Sequence, residues 1–153
     1  MTIRPATAGD VEHIVALINV AFLVERFFID GDRTNAEEVH RLLASGTFLV
    51  HGGAAGLEAA IYVESRGERA YLGLLAVAPD RQGQGVGRRM LDAAEAWCAA
   101  RGCRAIDIRV VSVRPELFPI YKGRGYVPRG TSPFPAKHSP KLACHFVDMS
   151  KDL

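Results

Sequence analysis

The chain of 153 residues carries 19 basic and 17 acidic side chains, for a net charge of +2, and 48% of its residues are hydrophobic. This length and composition are typical of one globular domain, here residues 1–153, that folds without metal or disulfide staples. The dispersed and nearly balanced charge argues against nucleic acid as the main partner. Because the sequence has no membrane-length apolar run and no pattern of a secretion signal, we expect a cytoplasmic protein with no membrane partner.

Cysteine and histidine patterns give no indication of a metal site. The three cysteines include no Cys-x-x-Cys pair, and the five histidines lack the spacing of metal ligands. We therefore predict free thiols in a reducing compartment and no bound metal.

The first third of the chain is predicted to hold a short extended segment and two helices. Residues 2–5 are extended, and apolar residues at helical spacing predict a helix over 10–22. Thr34 with Glu37 forms a capping-box pattern, which predicts the start of a second helix that ends near Gly46.

The middle of the chain is predicted to be strand-rich. Residues 47–51 and 57–64 are predicted strands joined by a hairpin-like turn in the sequence GGAAG. Residues 71–78 form the most apolar run, which is typical of a strand buried on both faces. A glycine-rich loop follows, and apolar residues at helical spacing then predict a helix that ends at Gly102.

The last third is predicted to alternate strands with one short helix. Apolar residues at 106, 108 and 110 alternate with charged ones and predict a strand, and Pro115 is predicted to begin a helix that reaches about Lys122. Residues 126–129 and 142–149 are predicted strands. The Pro-rich sequence GTSPFPAKHSP between them is predicted to be a loop.

The glycine-rich loop, PDRQGQGVGRR at residues 79–89, is the first functional indication. Its three alternate glycines remove side chains where the chain enters a helix, so main-chain N–H groups can approach a ligand closely. A helix N-terminus carries unpaired N–H donors and a partial positive charge, which favours an anion such as phosphate. The structural alternative is a tight turn with no ligand.

Two common phosphate-binding loops fit this sequence poorly. A Walker A loop needs lysine followed by serine or threonine after its last glycine, but Arg88 and Arg89 follow Gly87 here. In a dinucleotide fingerprint, Gly83 and Gly85 would fit the first two positions, but Arg88 replaces the third glycine.

The loop resembles a third design, the acetyl-CoA-binding motif of the GNAT superfamily of N-acetyltransferases. Gln82, Gly85 and Gly87 match its Gln/Arg-x-x-Gly-x-Gly/Ala pattern without a gap, and LFPIYKGRGYV resembles the C-terminal element of the family. The order of predicted elements also matches. The resemblance implies an α/β (α+β) fold, with a mixed, mostly antiparallel sheet, a splayed parallel strand pair and about four flanking helices.

The same resemblance implies that acetyl-CoA is the acyl donor, with its diphosphate on the loop and its pantetheine arm on the strand before it. Arg114 stands where many relatives carry asparagine, so it either contacts the cofactor or simply precedes the helix at Pro115. The implied cofactor-binding residues are Leu75, Ala76, Val77, Gln82, Gly83, Gln84, Gly85, Val86, Gly87, Arg88 and Arg114.

Two residues are predicted to take part in catalysis. Tyr121 matches the family tyrosine that donates a hydrogen bond or a proton to the departing thiolate; the alternative is a half-buried tyrosine that packs on the core. Some relatives place a glutamate base where this chain has Tyr71. Glu64, at the end of the previous strand, is the candidate base acting through water, and a solvated turn residue is the alternative.

The acceptor side is predicted from the first two helices and their connection. Phe27 and Phe28 lie in a stretch that also holds the acids Glu25, Asp30 and Asp32, and acids beside aromatic rings could hold a cationic amine; core aromatics beside a solvated acidic turn explain the stretch equally well. Phe27, Phe28 and Asp30 are the predicted acceptor-binding residues. The resemblance thus predicts an N-acetyltransferase acting on a primary amine of a small molecule or peptide. The alternative is an acyl-CoA-binding sensor or scaffold without turnover. A homodimer is also open, because many family members pair through strands.

Overall fold

The computed structural model describes residues 2–53, 55–135 and 138–153 of the chain. Its strands are β1 (Ile3–Pro5), β2 (Thr47–Gly53), β3 (Gly56–Arg66), β4 (Arg69–Val77), β5 (Ala105–Val111), β6 (Val127–Pro133) and β7 (His145–Asp152). Its α-helices are α1 (Val11–Ala21), α2 (Ala36–Ser45), α3 (Val86–Ala100) and α4 (Leu117–Gly123). Short 3-10 turns flank α1 at Ala8–Asp10 and Phe22–Glu25.

The strands of the described residues form one sheet in the order β1-β2-β3-β4-β5-β7-β6. Every neighbouring pair is antiparallel except β4 and β5, which are parallel and are connected through α3. A parallel pair needs such a crossover, and a helix is its usual form. The predicted mixed, mostly antiparallel sheet with one parallel pair is confirmed.

The parallel pair separates soon after it forms. Residues 69–71 of β4 pair with 105–107 of β5, and the two strands then run on to Val77 and Val111 without pairing to each other. On its other edge, β4 bulges where Leu74 and Leu75 lie opposite one residue of β3, and Leu74 has a φ of +52°. A bulge bends a strand and re-aims its residues. The result is a gap in the sheet between β4 and β5.

Apolar side chains fill both faces of the sheet. Helices α1 and α2 cover one face, over a cluster that includes Phe48 and Tyr62. Helix α3 covers the other face, over a cluster that includes Met90 and Ile106, and α4 packs on the edge of that cluster. The gap between β4 and β5 therefore connects two packed layers.

The start of α2 differs from the prediction by one residue. Asn35 is the capping residue, and its side chain accepts the N–H of Glu38 at 2.8 Å. Thr34 is buried, and the side chain of Asn19 bonds both its N–H and its carbonyl. The predicted capping box of Thr34 with Glu37 is wrong because Asn19 holds Thr34 outside the helix.

Two boundaries near the C-terminus also differ. β6 runs to Pro133, so the first part of the predicted loop is strand, and the hydroxyl of Ser132 donates to Asp148 of β7 at 2.8 Å. α4 begins at Leu117 rather than at Pro115. Ala54 of the predicted hairpin turn, and residues 136 and 137 of the predicted loop, lie outside the described residues.

Candidate functional site

A cleft of about 510 Å³ opens where β4 and β5 separate. Leu72 and Ile108 line it from the α3 face of the sheet, and Tyr71 and Arg109 line it from the α1 face. The cleft therefore passes between the two strands, and its volume is that of a small-molecule site. Apart from the buried Leu72, the residues of β4 that line it are only half-buried, so the prediction of a strand buried on both faces is wrong at this position.

One end of the cleft lies where β4 leads into α3 through the glycine-rich loop. Gly83 and Gly85 have φ values of +78° and +79°, a region that other residues rarely adopt. The side-chain amide of Gln82 donates to the carbonyl of Val77 at 3.1 Å. The side-chain amide of Gln84 donates to the carbonyl of Asp80 at 3.2 Å. These two side-chain hydrogen bonds to the backbone stabilise the conformation of the loop.

The N–H groups of this loop remain available to a ligand. Within the described residues, no backbone carbonyl accepts a hydrogen bond from residues 82–88, and the first such bond runs from Arg89 to Gly85 at 3.2 Å. A Cβ built on Gly83 or Gly85 would meet nothing within 4 Å, so the space around the loop is open. With exposed Arg88 nearby, these donors at a helix N-terminus suit a diphosphate.

Between the loop and the paired segment, the edge of β4 that faces β5 has no strand partner. Leu75 and Val77 line the cleft, whereas Ala76 is buried and pairs with β3. Sequence reasoning missed the bulge, although Gly73 inside an apolar strand is its usual sign. A Cβ on Gly73 would lie 2.8 Å from the hydroxyl of Tyr71, so the Tyr71 ring needs a glycine beneath it.

Tyr121 lies on α4 and lines the same cleft. Its ring packs edge-on against Tyr126, with the ring centroids 5.8 Å apart. Burial raises the pKa of Tyr121 above that of an ordinary tyrosine, although the positive charges of Arg114 and Arg124 oppose the rise. The hydroxyl is therefore protonated at neutral pH and can donate a hydrogen bond.

Glu64 lies away from the cleft lining, near the end of β3. Its carboxylate accepts a hydrogen bond from the hydroxyl of Tyr62 at 2.7 Å and pairs with Arg66. The Tyr62 bond, with smaller help from Arg66, lowers the pKa of Glu64. A carboxylate held in this way is a weaker proton acceptor, so its role as a base stays a prediction without a contact to support it.

Glu25 is the carboxylate that the fold places in the cleft wall. It is buried and lies 3.2 Å from Arg114, which also contacts Glu116 at 3.4 Å. Burial raises the pKa of Glu25 above its ordinary value despite the opposing charge of Arg114. Sequence reasoning proposed a cofactor contact or a helix start for Arg114 and gave no reason to prefer Glu25, because their contact joins segments 89 residues apart.

The three predicted acceptor-binding residues lie in different surroundings. Phe28 is fully buried and packs against Phe134, with ring centroids 6.0 Å apart, whereas Phe27 is half exposed outside the cleft lining. Asp30 does line the cleft, but it forms an ion pair with Lys141 at 2.8 Å. The structure thus brings only Asp30 of the three to the cleft, and its charge is already balanced.

No group of histidine, cysteine and acidic side chains suited to a metal ion occurs within the part of the chain that the structure describes. Over the same residues, each helix is too short or too polar to cross a membrane.

Comparison with known proteins agrees with this geometry. The sequence profile of the acetyltransferase (GNAT) family matches residues 21–126. No curated protein matches the chain by sequence at a significant level.

Solved structures share the fold at low sequence identity. One is the PaiA N-acetyltransferase from Thermoplasma acidophilum in complex with coenzyme A, with 16% identity, a TM-score of 0.79 and coverage of 100% of both chains. Another is the ribosomal-protein-S18-alanine N-acetyltransferase from Escherichia coli, with 15% identity, a TM-score of 0.77, and coverage of 99% of this chain and 92% of that one. A third is the IAA acetyltransferase from Bacillus cereus, with 14% identity, a TM-score of 0.76 and coverage of 99% of both chains.

Proposed function

The chain belongs to the acetyltransferase (GNAT) family, and from this premise we propose that it transfers an acetyl group from acetyl-CoA to a primary amine of a small molecule or peptide. Residues 1–153 act as one domain in this proposal. The observation that carries it is the gap between β4 and β5, which joins a loop with free N–H groups to a cleft lined by Tyr121 and Glu25.

The donor would bind along the loop and the free edge of β4. The open space at Gly83 and Gly85 and the free N–H groups of residues 82–88 fit the diphosphate of coenzyme A. Leu75 and Val77 offer main-chain groups to an extended arm, and the N–H near Val77 is the candidate donor to the thioester carbonyl. When bound, acetyl-CoA supplies an acetyl thioester open to attack by an amine.

Tyr121 would donate a hydrogen bond or its proton to the sulfur that leaves. The phenol of tyrosine ordinarily has a pKa of about 10 and a simple thiol one of about 8.5, and burial raises the Tyr121 value further. Tyr121 therefore keeps its proton at neutral pH and can stabilise a thiolate without losing it beforehand.

Glu25 would accept the proton that the amine loses. Alkylamines are protonated at neutral pH, with a pKa of about 10, so attack on the thioester needs a proton acceptor. Glu25 lines the cleft, its raised pKa brings it closer to neutral, and Arg114 holds its carboxylate at 3.2 Å. We prefer it to Glu64, which lies away from the cleft lining.

We place this reaction in the cytoplasm, where the three free thiols stay reduced. The surface through which the chain would form a homodimer stays a prediction.

The proposal is tested by following thiol release from acetyl-CoA over a broad panel of primary amines, with acetyl-CoA binding measured separately by calorimetry. We expect binding, and release that depends on the amine and falls in Tyr121→Phe. Tight binding with no release above hydrolysis across the panel would contradict a transferase and favour an acyl-CoA-binding sensor or scaffold.

A further inference from the structure

The acceptor end of the cleft, on the α1 face of the sheet, has more positive than negative charge available to a ligand. Among the described residues, the cleft lining contains three acids, and each already pairs with a basic residue. Glu25 pairs with Arg114 at 3.2 Å, and Asp30 pairs with Lys141 at 2.8 Å. Asp32 pairs with Arg26 at 3.7 Å.

Two further arginines of the lining, Arg33 and Arg109, form no ion pair with the acids described in the cleft, although the charge of Arg33 also acts on Glu25. Arg33 forms no ion pair with any residue in the described part of the chain, and its guanidinium lies 5.5 Å from the ring centroid of Phe22. Arg109 contacts Asp148 loosely, at 3.8 Å, and lies 5.8 Å from the ring centroid of Phe146. Such contacts with aromatic faces hold a guanidinium in place but leave its N–H groups free for an anion.

Tyr71 lies within the field of these two arginines. Its pKa is raised by burial, and the charges of Arg109 and Arg33, with that of Arg66, act against the rise. Arg66 also lies over the Tyr71 ring, 4.8 Å from its centroid. Tyr71, Arg33 and Arg109 line the same cleft, and the hydroxyl of Tyr71 can donate a hydrogen bond there, at a position where the family resemblance implies a glutamate.

We propose that the acceptor carries an oxyanion, a carboxylate or a phosphonate, close to its amine, and that Arg33 and Arg109 bind this oxyanion beside the hydroxyl of Tyr71. This inference rests on the proposed transferase function and narrows its substrate to amino acids and their phosphonate analogues. A simple cationic amine meets one guanidinium without an ion pair among the described residues, Arg33, and one that is only loosely paired, Arg109, whereas an amine with an adjacent anion can interact favourably with both. Since an arginine matches a planar carboxylate through two N–H groups, the site has the chemistry for this selection.

The test compares pairs of acceptors of which only one member carries an oxyanion near its amine. Each protein amino acid is offered beside its carboxamide, and aminoethylphosphonate beside ethanolamine, with kcat/KM measured for each. We expect the anionic member to be preferred by about 10- to 100-fold for at least one pair, the size of a lost charge-assisted hydrogen bond. The amine of a carboxamide loses its proton more easily than that of the free amino acid, so amine reactivity alone predicts the opposite order. The two kinds of pair separate a carboxylate site from a phosphonate site.

The roles of Arg33 and Arg109 are tested through the ratio of kcat/KM for the anionic acceptor to that for the neutral one. Arg33→Gln and Arg109→Gln should each reduce the ratio of the anionic to the neutral acceptor by about tenfold or more, and Arg33→Lys should retain part of it. The matched control is Arg26→Gln, which removes the same charge from the same cleft at a residue paired with Asp32. The control should keep the ratio. An equal loss in Arg26→Gln would show that total charge, and not this pair, selects the acceptor.

Binding separates this inference from the proposed function. Calorimetry with the protein saturated with coenzyme A measures the affinity of the preferred anionic acceptor in the absence of turnover. Equal use of acids and amides overturns the inference and leaves the transferase intact, whereas arginine-dependent binding without thiol release supports the inference and contradicts the transferase. Weaker binding of acetyl-CoA itself in Arg33→Gln would assign the arginine to the donor and overturn the inference.

Discussion

Tyr121 and Glu25 divide the proposed proton transfers between two side chains whose pKa values are both raised by burial. Burial therefore favours proton donation by one side chain and proton acceptance by the other. A tyrosine with a higher pKa keeps the proton that it must donate, whereas a carboxylate with a higher pKa becomes a stronger proton acceptor. The two side chains line one cleft. Because the proposed reaction needs Glu25 ionised and Tyr121 protonated, the pH dependence of turnover can separate their effects.

Replacing Tyr121 by phenylalanine should lower kcat by about 10²-fold with little change in KM, because the hydroxyl is needed when the thiolate leaves and not when the acceptor binds. The ring would keep its edge-on packing against Tyr126. Steady-state kinetics with a good acceptor, alongside thermal unfolding to check the fold, measures the effect. An unchanged kcat would make Tyr121 a packing residue.

Replacing Glu25 by glutamine should lower kcat by about 10²-fold at neutral pH and remove the inflection of the rate profile that belongs to Glu25, leaving only the titration of the acceptor amine at higher pH. In the unmodified protein, turnover needs the ionised carboxylate, so the rate falls as pH falls through the raised pKa of Glu25. The control is Glu116→Gln, which removes an exposed acid from the same arginine, Arg114. A pH profile of kcat in Glu25→Gln that keeps the same low-pH inflection as the unmodified protein would exclude this base.

Helix ends and strand edges determine where these side chains lie. The turn before α1 begins at Thr7, whose N–H donates to the carboxylate of Asp10 at 2.8 Å. Arg4 binds both oxygens of that carboxylate, each at 2.8 Å. These bonds fix the entry into α1, and α1 covers the face of the sheet on which the acceptor end of the cleft opens.

Replacing Asp10 by asparagine should reduce the free energy of unfolding by about 1 kcal/mol or less, because the pair lies near solvent. The hydrogen bond from Arg4, with further help from Thr7, lowers the pKa of Asp10 well below its usual range. Its contribution is therefore complete above an unfolded-state pKa of about 3.9 and is lost as the pH falls below it. Urea unfolding of both proteins from neutral pH to about pH 3 should show the difference shrink. A difference that does not depend on pH would rule out the charge as its cause.

Local patterns predicted these elements well but predicted contacts between distant segments poorly. The order of strands and helices, the end of α3 just before Gly102 and the glycine-rich loop all follow from signals within a few neighbouring residues. The contact of Glu25 with Arg114 and the placement of Arg33 and Arg109 in one cleft lining depend on the packing of separate segments. The capping error at Thr34 has the same origin, since Asn19 on another helix decides it.

The molecule as a whole links ligand binding to stability through the gap in its sheet. The free edge of β4 lies between the two packed layers and leads into the exposed glycine-rich loop, so a donor bound along both would add contacts to each layer and to the loop. Acetyl-CoA at about 100 times its dissociation constant should stabilise the protein by about 2.7 kcal/mol. For a domain of this size, that corresponds to a rise in Tm of about 5 to 10 °C.

A glycine far from the cleft allows the ligand site to be separated from backbone strain. Gly85 in the loop and Gly67 in the turn between β3 and β4 have similar φ values, +79° and +69°, and a Cβ on either would meet nothing within 4 Å. Gly85→Glu and Gly67→Glu should therefore each cost about 1 kcal/mol or more through strain in the left-handed region. Only Gly85→Glu places a carboxylate before the free N–H groups of residues 82–88 and repels a diphosphate. We expect Gly67→Glu to keep the full rise in Tm with acetyl-CoA and Gly85→Glu to lose it. Loss of the rise in both variants, or in neither, would mean that the loop does not hold the donor.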